Sequence, residues 1–164
     1  MATRKQPPGR SATPVPDCMS EVVDLDAMRL TQVRVRYAET DRMGVVYYAN
    51  YLVWFEVART EWLRQTGWSY REMEIEGTSL PVIEAHCDYR RPAHYDDEID
   101  IRTRATLLSP VRIRFDYDLS RQRDAEQLAT GYTVHAALDG GGRPCRLPAR
   151  VRSMLDRKGP SIAG

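Results

Sequence analysis

Cysteine and histidine are scarce in this 164-residue chain, which holds three of each. The cysteines, Cys18, Cys87 and Cys145, have neither the spacing of metal ligands nor the even count of a disulfide framework. The sequence therefore predicts no metal site, and free thiols are expected in a reducing cytoplasm. A serine nucleophile elbow and a phosphate-cradling glycine motif are also missing, which excludes two common classes of enzyme site.

Long apolar runs and an excess of charge are absent as well. The apolar stretch around Trp54 is interrupted by Glu56 and Arg59, so it is too short to span a bilayer. The N-terminus lacks the apolar core of a signal peptide. With a formal net charge of +1, no basic surface for nucleic acid or an anionic membrane is expected. We therefore expect a cytoplasmic protein without membrane insertion or nucleic-acid binding.

The composition divides the chain into one domain and two tails. Residues 1–28 are rich in proline, serine, threonine and charge, which predicts a disordered N-terminal tail rather than a transit peptide. Residues 29–156 suffice for one domain with a substantial core. Residues 157–164 are expected to form a C-terminal tail, and the sequence has no internal repeat.

The most informative stretch runs from Tyr37 to Gly67. A strand ending near Tyr37 leads into a turn with Asp41 and Gly44, and then into a helix for which Asn50 is a candidate cap and Gly67 suits the end. This helix is apolar on nearly every side, so we expect other structure to wrap it. Its apolar residues are Tyr51, Leu52, Val53, Trp54, Phe55, Val57, Ala58, Trp62 and Leu63.

Alternating apolar and polar residues predict four more strands, over about residues 83–90, 99–107, 111–119 and 128–138. The apolar face predicted for the last strand comprises Leu128, Thr130, Tyr132, Val134, Ala136 and Leu138. Ser69 is expected to cap a short helix that ends at Gly77. Strands with one polar face favour an antiparallel sheet curled around the helix. The predicted fold class is α+β, with about five strands around one long central helix.

The turn also carries a family resemblance. The run Tyr37-Ala38-Glu39-Thr40-Asp41-Arg42-Met43-Gly44-Val45-Val46-Tyr47-Tyr48-Ala49-Asn50-Tyr51 resembles the signature of the 4-hydroxybenzoyl-CoA thioesterase family, and the run from Leu80 to Asp97 is similar to it too. These are hotdog-fold acyl-CoA thioesterases, among them the Tol–Pal-associated enzymes of bacteria. The resemblance spans about residues 30–155. It implies a hotdog fold, hydrolysis of an acyl-CoA thioester without a cofactor other than the substrate's coenzyme A, and a homodimer or homotetramer formed through a sheet edge.

The resemblance also implies roles for individual residues. Asp41 matches the catalytic carboxylate, either as a nucleophile that forms a mixed anhydride or as a general base for water. Tyr48 matches the position whose backbone N–H polarises the thioester carbonyl, where several relatives carry histidine. Gly44 permits the tight turn. From the residues alone, an acid beside the positive end of a helix already supplies the parts of an acyl-transfer site.

Other candidates have two interpretations each. Tyr37 can hydrogen-bond near the carboxylate or pack at the strand end, and Asn50 is expected to tie the turn to the helix. Tyr47 suits an acyl or aryl group, or the core. Arg112 and Arg114 are candidates for the phosphates of coenzyme A, together with Arg90 and Arg91, although a solvated strand face is the stronger explanation of such residues.

Three alternatives to an acyl-CoA thioesterase stay open at this point. The substrate can be an acyl-carrier-protein thioester, because the basic cluster that some relatives place after the third strand is missing. A hotdog hydratase would need a His-Asp motif, which the sequence lacks. A scaffold protein that binds thioesters without turnover would keep the fold, although the Asp41–Gly44 turn is intact.

Overall fold

The computed structural model describes residues 28–67 and 69–155. The two predicted tails, apart from Met28, lie outside the described residues. In chain order the elements are β1 (Arg29–Arg34), a 3-10 turn (Tyr37–Glu39), α1 (Asn50–Gln65), α2 (Tyr70–Ile75), β2 (Val82–Tyr89), β3 (Glu98–Ser109), β4 (Arg112–Arg121), β5 (Gln127–Ala136) and α3 (Ala149–Leu155).

The five strands form one antiparallel sheet in the order β1-β3-β4-β5-β2. The helix α1 lies across one face of this sheet, and the core forms between them. The predicted α+β fold, with five strands and one long helix, is confirmed. One expectation about the elements is wrong: β1 ends at Arg34, so Tyr37 begins a turn instead of ending a strand. The short helix α3 is an element that the sequence analysis did not predict.

The ends of the two main helices differ in how well the sequence predicts them. The residue before α1 is Ala49, which makes no side-chain cap, so Asn50 is the first helical residue and not the cap. Gly67 follows the helix with a φ of +78°, in the left-handed conformation that glycine adopts readily. Ser69 and Glu72 form the expected capping box at the start of α2.

The helix α1 is not wrapped on every side, which corrects the prediction. Its inner residues Trp54, Phe55 and Trp62 are at most 2% exposed against the sheet. On the outer side, Leu52, Val53 and Val57 are 40%, 48% and 42% exposed. A single sheet layer can cover only one side of a helix, so the apolar outer side has no cover from the described residues.

From Ala129 onwards, the face of β5 that meets the helix is opposite to the predicted one, whereas Leu128 lies in the core as predicted. A Cβ added at Gly131 would lie 2.6 Å from the Phe55 ring, so this glycine faces the helix. Thr133 shares that face, because its hydroxyl lies 2.9 Å from the hydroxyl of Tyr117, a buried inward residue. Tyr132 instead lies on the outer face, beneath the guanidinium of Arg114. The sequence pattern assigned these residues to the wrong faces of β5 because the inner face carries small and polar residues.

In the described residues, no helix is both long and apolar enough to cross a membrane.

Candidate active site

A small hairpin carries the predicted catalytic carboxylate. The Asp41 N–H donates to the Val45 carbonyl over 2.9 Å, Thr40 pairs with Val46, and the Tyr47 N–H donates to the Glu39 carbonyl over 2.8 Å. These contacts pair residues 39–41 with residues 45–47 in antiparallel fashion. The hairpin thus joins Asp41 directly to the segment that enters α1.

The turn holds the Asp41 side chain by one oxygen. Its Oδ1 accepts the Met43 N–H at 2.8 Å, and its backbone carbonyl accepts the Gly44 N–H at 3.0 Å. Gly44 has a φ of +75°, which a residue with a side chain adopts only with strain. Asp41 is half-buried, and its Oδ2 has no hydrogen-bond partner in residues 28–67 or 69–155. One carboxylate oxygen is therefore fixed and the other is available.

The start of α1 presents unpaired backbone donors. Within the described part of the chain, the N–H groups of Tyr48 and Ala49 donate to no acceptor, whereas the N–H of Asn50 donates to the Tyr47 carbonyl at 2.9 Å. Unpaired N–H groups at a helix start carry partial positive charge and can hold an oxyanion. The chemistry expected of Tyr48 needs only its backbone, so the departure from histidine leaves it intact.

Asn50 ties the turn to the helix, as predicted. Its side-chain amide donates to the Glu39 carbonyl over 2.8 Å. The same carbonyl also accepts the Tyr47 N–H. Asn50 therefore binds the backbone of the hairpin. Within the described residues it makes no hydrogen bond to the Asp41 carboxylate.

Glu39 is a residue that sequence reasoning missed. It is only 5% exposed, and its carboxylate accepts the Trp54 indole N–H at 3.1 Å and the Arg36 backbone N–H at 2.8 Å. Burial by itself raises the pKa of Glu39, but these hydrogen bonds and the Arg36 guanidinium outweigh it, so the pKa is lowered. The available signal was Trp54, whose N–H requires an acceptor once it is buried in an apolar helix.

A second strap of chain supports the hairpin from the other side. The Val46 N–H donates to the Ala93 carbonyl over 2.9 Å, and Val45 pairs with His94. Asp97 holds this strap, because its buried carboxylate accepts the His94 N–H at 2.9 Å and lies 3.5 Å from the Arg121 guanidinium. The hairpin is therefore pinned to the sheet through β4.

A cavity of about 260 Å³ opens beside Tyr48. Its lining residues are Val46, Tyr48, Tyr51, Tyr89, Arg90, Arg91 and Pro92. The Tyr89 hydroxyl donates to the Tyr48 carbonyl over 2.9 Å, and partial burial raises the pKa of Tyr89 to about 12, so the phenol stays protonated. Tyr48 lines this cavity and Asp41 does not. Within the described residues of one chain, the Asp41 carboxylate is therefore not part of the cavity wall.

The remaining aromatic candidates are surface residues. Tyr37 is 78% exposed and meets the edge of Tyr95, with ring centroids 5.8 Å apart. In the described structure Tyr37 contacts the Tyr95 ring but makes no hydrogen bond to Asp41, so its proposed role at the site stays a prediction. Tyr47 is 45% exposed and lies against the Tyr48 ring at 4.6 Å, so it belongs to the surface around the site rather than to the core.

Arg112 and Arg114 are remote from the turn of their own chain. β4 runs from Arg112 to Arg121, and at about 3.3 Å per residue these ends lie roughly 30 Å apart. The Arg121 end adjoins the site, because its guanidinium donates to the Pro92 carbonyl. Arg114 is engaged by Asp116 at 2.7 Å. The structure instead brings Arg90 and Arg91 to the cavity.

A larger cavity lies elsewhere. It has a volume of about 710 Å³ and runs between the outer side of α1 and the edge strand β1. It contains none of the predicted site residues. No cluster of three or more His, Cys, Asp or Glu side chains able to hold a metal occurs in the described ranges.

Comparison with known proteins identifies the family. A model of the thioesterase-like superfamily matches residues 35–155, which is most of the chain. The chain belongs to the thioesterase-like superfamily. A 1,4-dihydroxy-2-naphthoyl-CoA hydrolase of Synechococcus elongatus is 33% identical over 124 residues, covering 74% of this chain and 90% of that protein. The resemblance seen in the sequence is confirmed at the level of this family.

Shorter matches and solved structures agree. YneP of Bacillus subtilis is 46% identical over 72 residues, so the chain spans about half (52%) of that relative, and 44% of this chain is covered. The crystal structure of a 1,4-dihydroxy-2-naphthoyl-CoA thioesterase from Synechocystis superposes with a TM-score of 0.73 at 27% identity, covering 77% of this chain and 93% of that one. A DHNA-CoA thioesterase from Staphylococcus aureus gives 0.69 at 34% identity, over 72% and 79% of the two chains. The hotdog fold of the family is therefore the fold of this protein.

Proposed function

We propose that this protein hydrolyses an acyl-CoA thioester to a carboxylic acid and coenzyme A, with Asp41 as the reacting carboxylate and the start of α1 as the carbonyl-polarising group. The reaction class, thioester hydrolysis, follows from membership of the family. The assignment of roles rests on one observation: the hairpin joins a carboxylate with a free oxygen to a helix start with unpaired N–H groups.

The geometry is compatible with either of two routes. As a nucleophile, Asp41 Oδ2 attacks the thioester carbon, the coenzyme A thiolate leaves, and water then hydrolyses the mixed anhydride. As a general base, Asp41 takes a proton from water while the water oxygen attacks the carbon and the thiolate leaves, taking up a proton. In both routes the negative charge that develops on the carbonyl oxygen is stabilised by the Tyr48 N–H.

The cavity beside Tyr48 is the proposed substrate-binding site. Tyr48, Tyr51 and Tyr89 offer aromatic surface to an acyl or aryl group, and Arg90 and Arg91 offer charge to phosphates. Arg112 and Arg114 can reach this site only from another subunit. Several relatives are named for aryl-CoA substrates, which favours coenzyme A over a carrier protein.

We further propose that a second copy completes the site. β2 lies at one edge of the sheet, and seven of its eight residues are exposed. Exposed sheet edges pair readily with a copy of themselves. Tyr89 ends this strand and lines the cavity, so pairing along β2 would bring the partner to the mouth of the site. A cytoplasmic location remains a prediction from the cysteine content.

A thiol-release assay with saturated and aromatic acyl-CoAs tests the proposal. Wild-type protein is expected to release free thiol, and Asp41→Asn is expected to lower kcat by about two or more orders of magnitude while leaving the melting temperature unchanged. Asp118→Asn, on the outer face of β4, is the matched control and should retain activity. If Asp41→Asn turns over as fast as wild type, the assignment of Asp41 is wrong. If wild type hydrolyses no thioester in the panel, the binding scaffold becomes the better interpretation.

A further inference from the structure

Glu39 is buried two residues before Asp41, and it makes contacts through both its backbone and its side chain. The carbonyl oxygen accepts two donors at 2.8 Å, the Tyr47 N–H from the opposite arm of the hairpin and the side-chain amide of Asn50, the first residue of α1. The carboxylate accepts the Trp54 indole N–H from the next turn of the same helix. Glu39 is thus bound to the helix at two points, Asn50 and Trp54, and to the opposite arm of the hairpin at a third.

An acceptor-only group is required at this position. The Arg36 backbone N–H and guanidinium reach the two carboxylate oxygens at 2.8 and 3.1 Å, in addition to the Trp54 indole. All three groups are donors, so an ionised carboxylate satisfies them and an amide would direct an N–H towards another N–H. Hydrogen bonds to an ionised acceptor are the stronger kind, and burial leaves little water to replace them.

We infer that Glu39 is a positioning residue for the proposed hydrolysis, and that its contacts with Trp54 and Asn50 set the distance between the Asp41 carboxylate and the N–H groups at the start of α1. This inference rests on the proposed function. Glu39 does not itself touch the reacting atoms; it fixes the hairpin against the helix. A small misplacement of a reacting group lowers the reaction rate strongly. Loss of the Glu39 contacts is therefore expected to lower kcat rather than to weaken substrate binding.

Trp54→Phe is the sharpest test, because α1 contains its own control. Trp54 and Trp62 are both buried on this helix, at 2% and 1% exposure, but the Trp62 indole N–H has no partner in the described structure. Trp54→Phe removes a hydrogen bond to Glu39 and Trp62→Phe removes none. We expect kcat to fall about tenfold in Trp54→Phe, with KM within about twofold, and to stay within about twofold in Trp62→Phe.

Glu39→Gln extends the test to the carboxylate. We expect a loss of about 30-fold or more in kcat. The control is Glu72→Gln, since Glu72 also accepts a backbone N–H, that of Ser69 at 2.7 Å, but does so at the start of α2. This control should show wild-type kcat. If Glu39→Gln does not fold, the tryptophan pair still decides the question.

Amide hydrogen exchange supplies a readout independent of activity. In Trp54→Phe the hydrogen-bonded N–H groups of Val46, Tyr47 and Asn50 are expected to exchange at least about tenfold faster than in Trp62→Phe, because the hairpin opens locally. Equal exchange in the two variants, or equal kcat losses that follow the melting temperature, overturns the inference. If Asp41→Asn is inactive while Glu39→Gln and Trp54→Phe keep wild-type kcat, the proposed function stands and the role of Glu39 is wrong. If Asp41→Asn is fully active, the proposed function fails, and the exchange data alone decide whether Glu39 fixes the hairpin.

Discussion

The side-chain hydroxyl of Tyr89 donates a 2.9 Å hydrogen bond to the carbonyl oxygen of Tyr48. That carbonyl shares its peptide group with the N–H of Ala49, one of the unpaired donors before α1. A hydrogen bond at the carbonyl fixes the peptide plane and polarises the N–H. The last residue of the exposed edge strand is thereby coupled to the unpaired N–H that follows that of Tyr48, the donor proposed to stabilise the oxyanion.

Tyr89→Phe is therefore expected to lower kcat by about tenfold, the size of one neutral hydrogen bond of roughly 1.4 kcal/mol. Thiol release measured across substrate concentrations gives kcat and KM separately. Tyr132→Phe is the control, because its hydroxyl donates to Glu84 on the outer face of the sheet. A Tyr89→Phe enzyme with wild-type kcat would show that the hydrogen bond is only structural.

Gly131→Ala is expected to destabilise the fold. The new Cβ would lie 2.6 Å from the Phe55 ring and 2.5 Å from the His86 carbonyl oxygen, and neither the helix nor the neighbouring strand can yield without repacking. Overpacking of this kind lowers the free energy of unfolding by about 1–3 kcal/mol. Urea unfolding measures the loss. Gly140→Ala, with nothing within 4 Å of its Cβ, should leave stability nearly unchanged.

Stability is expected to fall in mild acid because of His135. Burial in the core lowers the pKa of this residue to about 4 from its ordinary value of 6.5, and it outweighs the hydrogen bond to the Leu80 carbonyl, which by itself raises the pKa. The unfolded chain therefore takes up a proton at a higher pH than the folded protein does. The contribution of His135 to the free energy of unfolding is level above pH 6.5 and falls by about 3 kcal/mol between pH 6.5 and 4.

Urea unfolding at several pH values between 7 and 4 checks this prediction. His135→Gln keeps a donor and an acceptor but cannot titrate in this window. Its unfolding free energy should therefore change less steeply with pH, whatever its absolute stability. Parallel pH profiles for the two proteins would exclude His135 as the source.

Pairing along β2 is expected to give a dimer, which analytical ultracentrifugation can detect. Ile83 is 50% exposed on this edge, and Ile83→Lys places a charge where the partner strand would pack, so the mass should fall to that of one chain. Ile75→Lys is the control, because Ile75 is 76% exposed on α2, away from the edge. Identical masses for wild type and both variants would leave β2 without a role in assembly.

Period-two patterning was enough to predict the sheet, because four strands have charged outer faces next to apolar inner ones. It failed in β5, where Gly131, Thr133 and His135 face the helix. Glycine there admits Phe55, and the two polar side chains bond to each other within the core. No local pattern distinguishes such residues from solvent-facing ones, since their partners lie on other elements.

The candidate site, like the sheet, was predictable from the sequence only in part. The turn of Asp41 and Gly44 was predictable, because its bonds are local. The roles of Glu39 and Asp97 were not, because they depend on Trp54 and Arg121, 15 and 24 residues away. Arg112 and Arg114 looked like suitable phosphate ligands by charge alone, but the direction of β4 carries them to the opposite end of the molecule.

The hairpin of residues 39–47 has one further consequence. Its two arms are joined by only three residues, Arg42, Met43 and Gly44, and the pairing of Thr40 with Val46 leaves no slack. A deletion or insertion of one amino acid there would invert which way each following side chain points before the helix begins. The number of residues between Asp41 and Tyr48 is thus set by backbone geometry. In an alignment with distant relatives, a gap inside this segment would be physically implausible even where the amino acids differ at every position.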